Sequence, residues 1–243
     1  PLAAASSPAV RRLVAQRRPD VVVSTFHLCA QIVGRLRMSG GMVVPSLVVV
    51  TDFVAHRMWS HPGNDAFICV HKSVADEANK MTGRPSYVSG PAVSEQFLSD
   101  DALPRPIRRK ELREEIGADP ELPVVLVSAG AWGTGGVVDA VRAIASPRHT
   151  TLVLCGRNER LRHGLRDAGP GVVATGWRDD VPRLMRACDV LVENAAGQTA
   201  MEAFAVGLPV VSFRPLPGHG RAGVLRMADL GLTSFAADDE ALQ

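Results

Sequence analysis

Short, fully apolar, β-branched runs recur along the chain, and stretches with helical periodicity separate them. VVVST (21–25), SLVVVTD (46–52), AFICV (66–70) and SYVSG (86–90) fill the first part, and PVVLVSAG (123–130), TLVLCG (151–156), VVATG (172–176), DVLVEN (189–194) and LPVVSF (208–213) the second. Strands apolar on both faces must be covered on both faces, the condition met by parallel sheets with helices on each side. The fold class is therefore α/β. Between the two groups, SEQFLSDDALPRPIRRKELREEIGADPEL (94–122) places polar and proline residues ahead of an amphipathic helix ending at Gly117. It reads as a linker between domains at 1–98 and 99–243. No repeat of solenoid length and no low-complexity tract interrupts this pattern.

Composition removes several classes of function. At 243 residues and 46% hydrophobic, the chain suffices for two modest cores. Cys29, Cys69, Cys155 and Cys188 lie far apart without ligand-like spacing, so neither a disulfide framework nor a zinc site is expected, and a reducing cytoplasm fits. The longest apolar runs are much shorter than a bilayer span, and no signal peptide opens the chain, so a soluble or peripheral protein is expected. Residues 1–98 carry 10 Lys/Arg against 6 Asp/Glu, and the remainder 17 against 19. That mildly basic first part suits either an anionic membrane surface or a merely solvated face. Aromatics at 5% give no stacking platform, so nucleic acid is not expected as a partner.

Glycine-rich turns at strand exits carry the candidate chemistry. SAGAWGTGG (128–136), with Gly133 at its centre, follows one strand and precedes the helix VVDAVRAIA, as a phosphate or sugar loop would. It is neither GxGxxG, since Val138 stands at the last glycine position, nor a Walker loop, and no GxSxG elbow occurs. A tight turn with no ligand remains an equal reading. The next exit, CGRNERLR, places Arg157 and Asn158 where an anion would meet them. ATGWRDDVPRLM offers Trp177 as a surface for a base, or as partly buried packing, with Asp179 or Asp180 as a helix cap and Pro182 in the first turn.

ENAAGQTAMEAFAVGLPVV (193–211) is the most informative stretch. If residues 196–199 form a turn and a helix start, its N–H groups and the Thr199 hydroxyl face a diphosphate, with Gly197 and Gln198 between, and Glu202 lies one turn further on. A carboxylate there accepts paired ribose hydroxyls, worth roughly 1.5–3 kcal/mol per charged hydrogen bond. The alternative is a glutamate that only favours the helix dipole, worth about 0.3–1 kcal/mol.

GQTAMEAFAVGLPVVSFRPLPGHG resembles the donor-nucleotide signature of GT-B glycosyltransferases, in particular the family 28 group with the monogalactosyldiacylglycerol synthases and lipid-linked N-acetylglucosaminyl transferases. VVTDFVAHRMWSHPGNDAFICVHKSV and VSGPAVSEQF resemble the later half of that group's acceptor domain, and SAGAWGTGG, CGRNERLR and TGWRDDVPRLMRACDVLVENA its donor domain. The resemblance implies two Rossmann-like domains and hexose transfer from a UDP-sugar to a lipid such as diacylglycerol, with no cofactor and no metal. It implies Glu202 on the ribose, Gly197 and Thr199 on the diphosphate, the 175–181 loop on the uracil and His219 facing the sugar. A non-catalytic nucleotide-sugar binding module and a UDP-sugar 2-epimerase remain alternatives.

The chain departs from that pattern in several places. Ala196 replaces a glycine, and its methyl is expected to hinder the diphosphate; Ser94 stands where arginine is frequent, and Gly223 where asparagine is. The group's opening strand and glycine-rich loop ending in histidine have no counterpart, so the first domain is expected to be incomplete, and the chain to bind UDP with little turnover. In TDFVAHRMWSHPGND, Asp52, His56, His61 and Asp65 gather beyond one strand, as an acceptor-cleft lining with Asp52 and His56 as base candidates, favoured over a metal site because the His-His spacing of five is not the one-turn HExxH arrangement, or as loop bracing. His27 is weighed likewise, while His71, His149 and His163 are expected at the surface.

Overall fold

A computed structural model describes residues 2–99, 105–128 and 136–242, the side chains of residues 2–4, 105–108 and His219 excepted. The chain divides into two compact units, Pro1–Ala92 and Val93–Gln243. The sequence places this division after residue 98; the buried ring of Phe97, packed into the second core, assigns the intervening residues to the second unit.

The first unit runs α1 (Leu2–Arg17), β1 (Val22–Ser24), α2 (His27–Met38), β2 (Ser46–Val50), β3 (Ala66–Cys69), α3 (Lys72–Thr82) and β4 (Ser86–Val88). Its four strands are parallel in the order β1-β2-β3-β4. Helix α2 buries Ala30, Ile32, Val33 and Leu36, and Val10 and Val14 of α1 pack on that cluster. The connection from β2 to β3 is a loop, made compact by Gly34: a Cβ there would meet the His61 ring at 2.4 Å. His71, expected as a bare surface histidine, caps α3, its ring accepting from Ser73 N, and Gly83 at φ +66° closes that helix.

The second unit runs α4 (Glu95–Leu98), α5 (Arg105–Glu115), β5 (Val124–Ser128), α6 (Val137–Ile144), β6 (Thr150–Leu154), α7 (Glu159–Gly164), β7 (Val172–Thr175), α8 (Val181–Ala187), β8 (Val190–Glu193), α9 (Gln198–Ala205), β9 (Val210–Phe213), α10 (His219–Asp229), β10 (Ser234–Ala236) and α11 (Asp239–Leu242). The sheet is parallel in the order β10-β9-β8-β5-β6-β7. Chain order reverses between β5 and β8, and ligands of such sheets bind beyond the strands' carboxyl ends at that switch point. Cores lie on both faces, one around Leu126, Leu152, Leu184 and Leu191, the other around Val127, Val141, Val153 and Phe213. At the opposite end Asp189 receives Val124 N at 2.8 Å and the Arg113 guanidinium at 2.6 Å, and also pairs with Arg109, tying α5 to the sheet.

Candidate functional site

In the second unit a cavity of about 360 Å³ opens at the carboxyl ends of β5, β6 and β7. Ser128, Gly156, Gly176, Trp177, Arg178, Gln198, Thr199 and Glu202 are among its lining residues, drawn from separate strand exits. The turn into α9 forms as the sequence reading requires: Gly197 is the N-cap and Gln198 the first helical residue. That geometry turns the first N–H groups of α9 out of the helix, toward an anion, and stacks Glu202 one turn behind Gln198. Burial pushes the Glu202 carboxyl above the ordinary carboxylate range, and a hydrogen bond with Gln198 opposes that shift.

Trp177 is 50% exposed on the rim, its Nε1 donating to Asp179 at 2.8 Å. Arg178 pairs with both oxygens of Asp180, at 2.7 and 2.6 Å, and that hydrogen bond holds the Asp180 carboxyl below its usual range. Asp180 is thus the N-cap of α8 by position only, its carboxylate making no cap bond, and Pro182 sits in the first turn as expected.

Arg157 and Asn158 leave the cavity lining. The Arg157 guanidinium lies 4.2 Å from the centroid of the Trp177 ring, a contact worth about 0.5–1 kcal/mol at an exposed site. Asn158 caps α7, its Oδ1 accepting from Leu161 N at 3.0 Å. Gly133 falls outside the described residues, and of His219 only its place at the start of α10 is described.

Ala196 corrects one expectation. It adopts φ +51°, its side chain is 2% exposed, and its methyl is directed at Gly223 of α10. The methyl is packing; it does not line the cavity. The residue that sequence reasoning missed is Glu193, 4% exposed at the end of β8. Its Oε2 accepts from Ala195 N at 2.8 Å and Ala196 N at 2.7 Å, and its Oε1 from Ser212 Oγ at 2.6 Å. The available signal was a glutamate closing an otherwise apolar strand.

In the first unit the loop after β2 splits the proposed cluster in two. Asp52 and His56 come together, Oδ2 to Nε2 at 3.6 Å, and Trp59 Nε1 donates to the same oxygen at 2.7 Å. His56 Nδ1 accepts from Met58 N at 3.2 Å. The His27 ring lies 5.7 Å from that of His56 and 5.9 Å from that of Trp59. His61 and Asp65 brace the loop instead. His61 Nδ1 accepts from Gly63 N, and burial, with Arg35 nearby, holds its pKa below the ordinary value. Asp65 accepts from Ser46 N at 2.7 Å and pairs with Arg37 at 2.6 Å. Among the described residues, no group of three or more His, Cys, Asp or Glu could hold a metal. Burial raises the thiols of Cys69 and Cys188 to about 12 and Cys155 to about 11, so none is a nucleophile at neutral pH.

Residues 2–92 match the family model of monogalactosyldiacylglycerol (MGDG) synthase, and residues 123–238 that of glycosyl transferases group 1. A processive diacylglycerol beta-glucosyltransferase of Bacillus licheniformis is 27% identical over 228 residues, covering 90% of this chain and 57% of that protein. The chloroplastic monogalactosyldiacylglycerol synthase of Spinacia oleracea is 29% identical over 243 residues, covering 93% of this chain and 45% of its own length. This chain therefore spans about half the length of these relatives. Among solved structures, Anabaena HepE in complex with UDP superposes with a TM-score of 0.60 at 16% identity, covering 97% of this chain and 70% of that one. Acinetobacter baumannii MurG gives 0.62 at 16% identity, covering 97% and 66%. The parallel sheets and the likeness to these solved structures show that the chain has the GT-B fold, and in sequence it is similar to the monogalactosyldiacylglycerol synthases and diacylglycerol glucosyltransferases.

Proposed function

We propose that this chain forms the donor site and part of the acceptor site of a transferase that moves a hexose from a UDP-sugar to a hydroxyl of a diacylglycerol-type lipid. The observation that carries the reading is the cavity in which Gln198, Thr199 and Glu202 of α9 and Trp177 of the β7 exit meet. Glu202 accepts the ribose hydroxyls, and Thr199 with the first N–H groups of α9 receives the diphosphate. Trp177 and the 175–181 loop take the uracil.

In the reaction the acceptor oxygen loses its proton to a base and attacks the anomeric carbon. The bond from that carbon to the diphosphate breaks, and UDP leaves with the negative charge. Stabilising that charge is the main work, and helix N–H groups perform it without a metal. Asp52 is the base we favour, its carboxylate held by the Trp59 Nε1 hydrogen bond at 2.7 Å beside the His56 ring. Peripheral contact with an anionic membrane, on its cytoplasmic side, accords with the basic balance of the first unit and with the exposed Met38 and Val43 near the exposed Arg35. No described helix is long and apolar enough to cross a membrane.

The test is to incubate the natural protein containing this chain with UDP-glucose, UDP-galactose or UDP-N-acetylglucosamine and diacylglycerol micelles. Lipid-linked sugar is expected from at least one donor. UDP binding without a lipid product from any of the three would contradict the transferase reading.

A further inference from the structure

We propose that Glu193 is a positioning residue for the diphosphate: a buried carboxylate, outside the cavity, that fixes the turn from which α9 presents its N–H groups. The proposal rests on the donor-site reading above and adds to it the part that holds the site in shape.

A buried carboxylate is costly unless donors surround it, and Ala195 N, Ala196 N and Ser212 Oγ all donate to this one. Two of them are consecutive backbone N–H groups, Ala195 and Ala196, in the turn between β8 and α9. The turn needs holding, because Ala196 sits at φ +51°, where a residue with a Cβ is strained by about 1–2 kcal/mol. With those two N–H groups bound to Glu193, the next residues along the chain that line the cavity are Gln198 and Thr199, whose N–H groups belong to the first turn of α9, where a helix supplies no acceptor of its own. The third partner, Ser212, is the register neighbour of Glu193 on β9, so the carboxylate is anchored to the sheet itself. The same turn also carries the loop before α10, since Leu216 N donates to Asn194 O at 2.8 Å.

The network also tells hydrogen bonding from charge. Thr233 Oγ1 lies 3.1 Å from Ser212 Oγ and donates to Val210 O at 2.9 Å. In a Glu193→Gln variant the amide oxygen keeps both backbone N–H groups and the amide NH2 donates to Ser212 Oγ. The serine proton then turns to Thr233 Oγ1, so all partners stay satisfied. Glu193→Ala leaves the two N–H groups without an acceptor.

The experiment is calorimetric titration of UDP and of uridine into wild type, Glu193→Ala and Glu193→Gln. Glu193→Ala is expected to weaken UDP about tenfold and uridine less than about threefold, while Glu193→Gln stays within about threefold of wild type for both. Should Glu193→Ala fail to fold, Ser212→Ala removes only the sheet anchor and is expected to weaken UDP relative to uridine by about threefold. An unchanged ratio of UDP to uridine affinity in the folded variants would overturn the proposal. So would Glu193→Gln as weak as Glu193→Ala, since charge rather than geometry would then be at work. Wild type that binds neither ligand would bring down the donor-site reading itself, an outcome distinct from either.

Discussion

A Cβ placed on Gly223 would come within 2.9 Å of the Ala196 Cβ, so the methyl of one residue fills the space the other leaves empty. Read separately along the chain, the two are unrelated departures from a family pattern; in the fold they are one packing decision between the turn after β8 and helix α10. Real Cβ atoms do not approach this closely, so Gly223→Ala is expected to destabilise the second unit by about 1–3 kcal/mol. Combined with Ala196→Gly, the cost should largely vanish, which a double-mutant cycle in urea would read as a coupling of at least about 1 kcal/mol. The methyl does not line the cavity, so Ala196→Gly by itself should leave the ratio of UDP to uridine affinity unchanged.

If Glu202 binds ribose as proposed, it trades stability for binding. Burial raises its pKa, so ionising it in the folded protein costs more than in the unfolded chain. The stabilisation tied to its neutral form is present at low pH and lost as pH rises through the raised pKa. Glu202→Gln should therefore melt no lower than wild type at neutral pH while binding UDP about tenfold or more weakly. Wild-type UDP affinity should also fall on acidification at a pH above that of an ordinary glutamate, and the Gln variant should lack that step. A titration series over pH in both proteins measures this.

Asp189 gives a stability test remote from the cavity. Its carboxylate receives Val124 N and two arginines of α5, one of which, Arg113, has a side chain only 11% exposed. Asp189→Ala removes the counter-charge of a nearly buried guanidinium and the acceptor of Val124 N, and is expected to cost about 2–4 kcal/mol in denaturant unfolding. UDP affinity of the folded fraction should be unchanged.

His61 makes the first unit sensitive to acid. Its pKa is held down by burial first and Arg35 second, so the unfolded chain binds its proton more readily than the folded one. The stability this provides is present above the ordinary histidine pKa and is lost as pH falls through the lowered value. A His61 ring resonance titrating below free histidine would confirm it, and titration at the ordinary value would refute it.

Much of this fold was legible in the sequence because fully buried parallel strands leave continuous apolar runs, and each of those runs became a strand. Strand β10 was not, since Ser234–Ala236 spans three residues with its serine exposed and leaves no such run. The helix start at Gly197 and the place of Glu202 followed from spacing alone. Glu193 did not, because a glutamate at a strand end reads as the first polar residue of a turn, and only the register with Ser212 reveals its burial. Arg157 and Asn158 lie at the expected exit, but a nearby ring and an uncapped helix N-terminus claimed their side chains. Asp52, His56, His61 and Asp65 form one group by sequence distance, and the close passage of the loop over Gly34 separates them.

A crystal structure of the chain with UDP would show whether the nucleotide occupies the cavity at the carboxyl ends of β5, β6 and β7. The expected density places the ribose hydroxyls within hydrogen-bond distance of the Glu202 carboxylate and the diphosphate on Thr199 and the first N–H groups of α9. The uracil should lie against the 175–181 loop, with Glu193 still bound to Ala195 and Ala196. UDP bound elsewhere, or in this cavity with its diphosphate turned away from α9, would contradict the account.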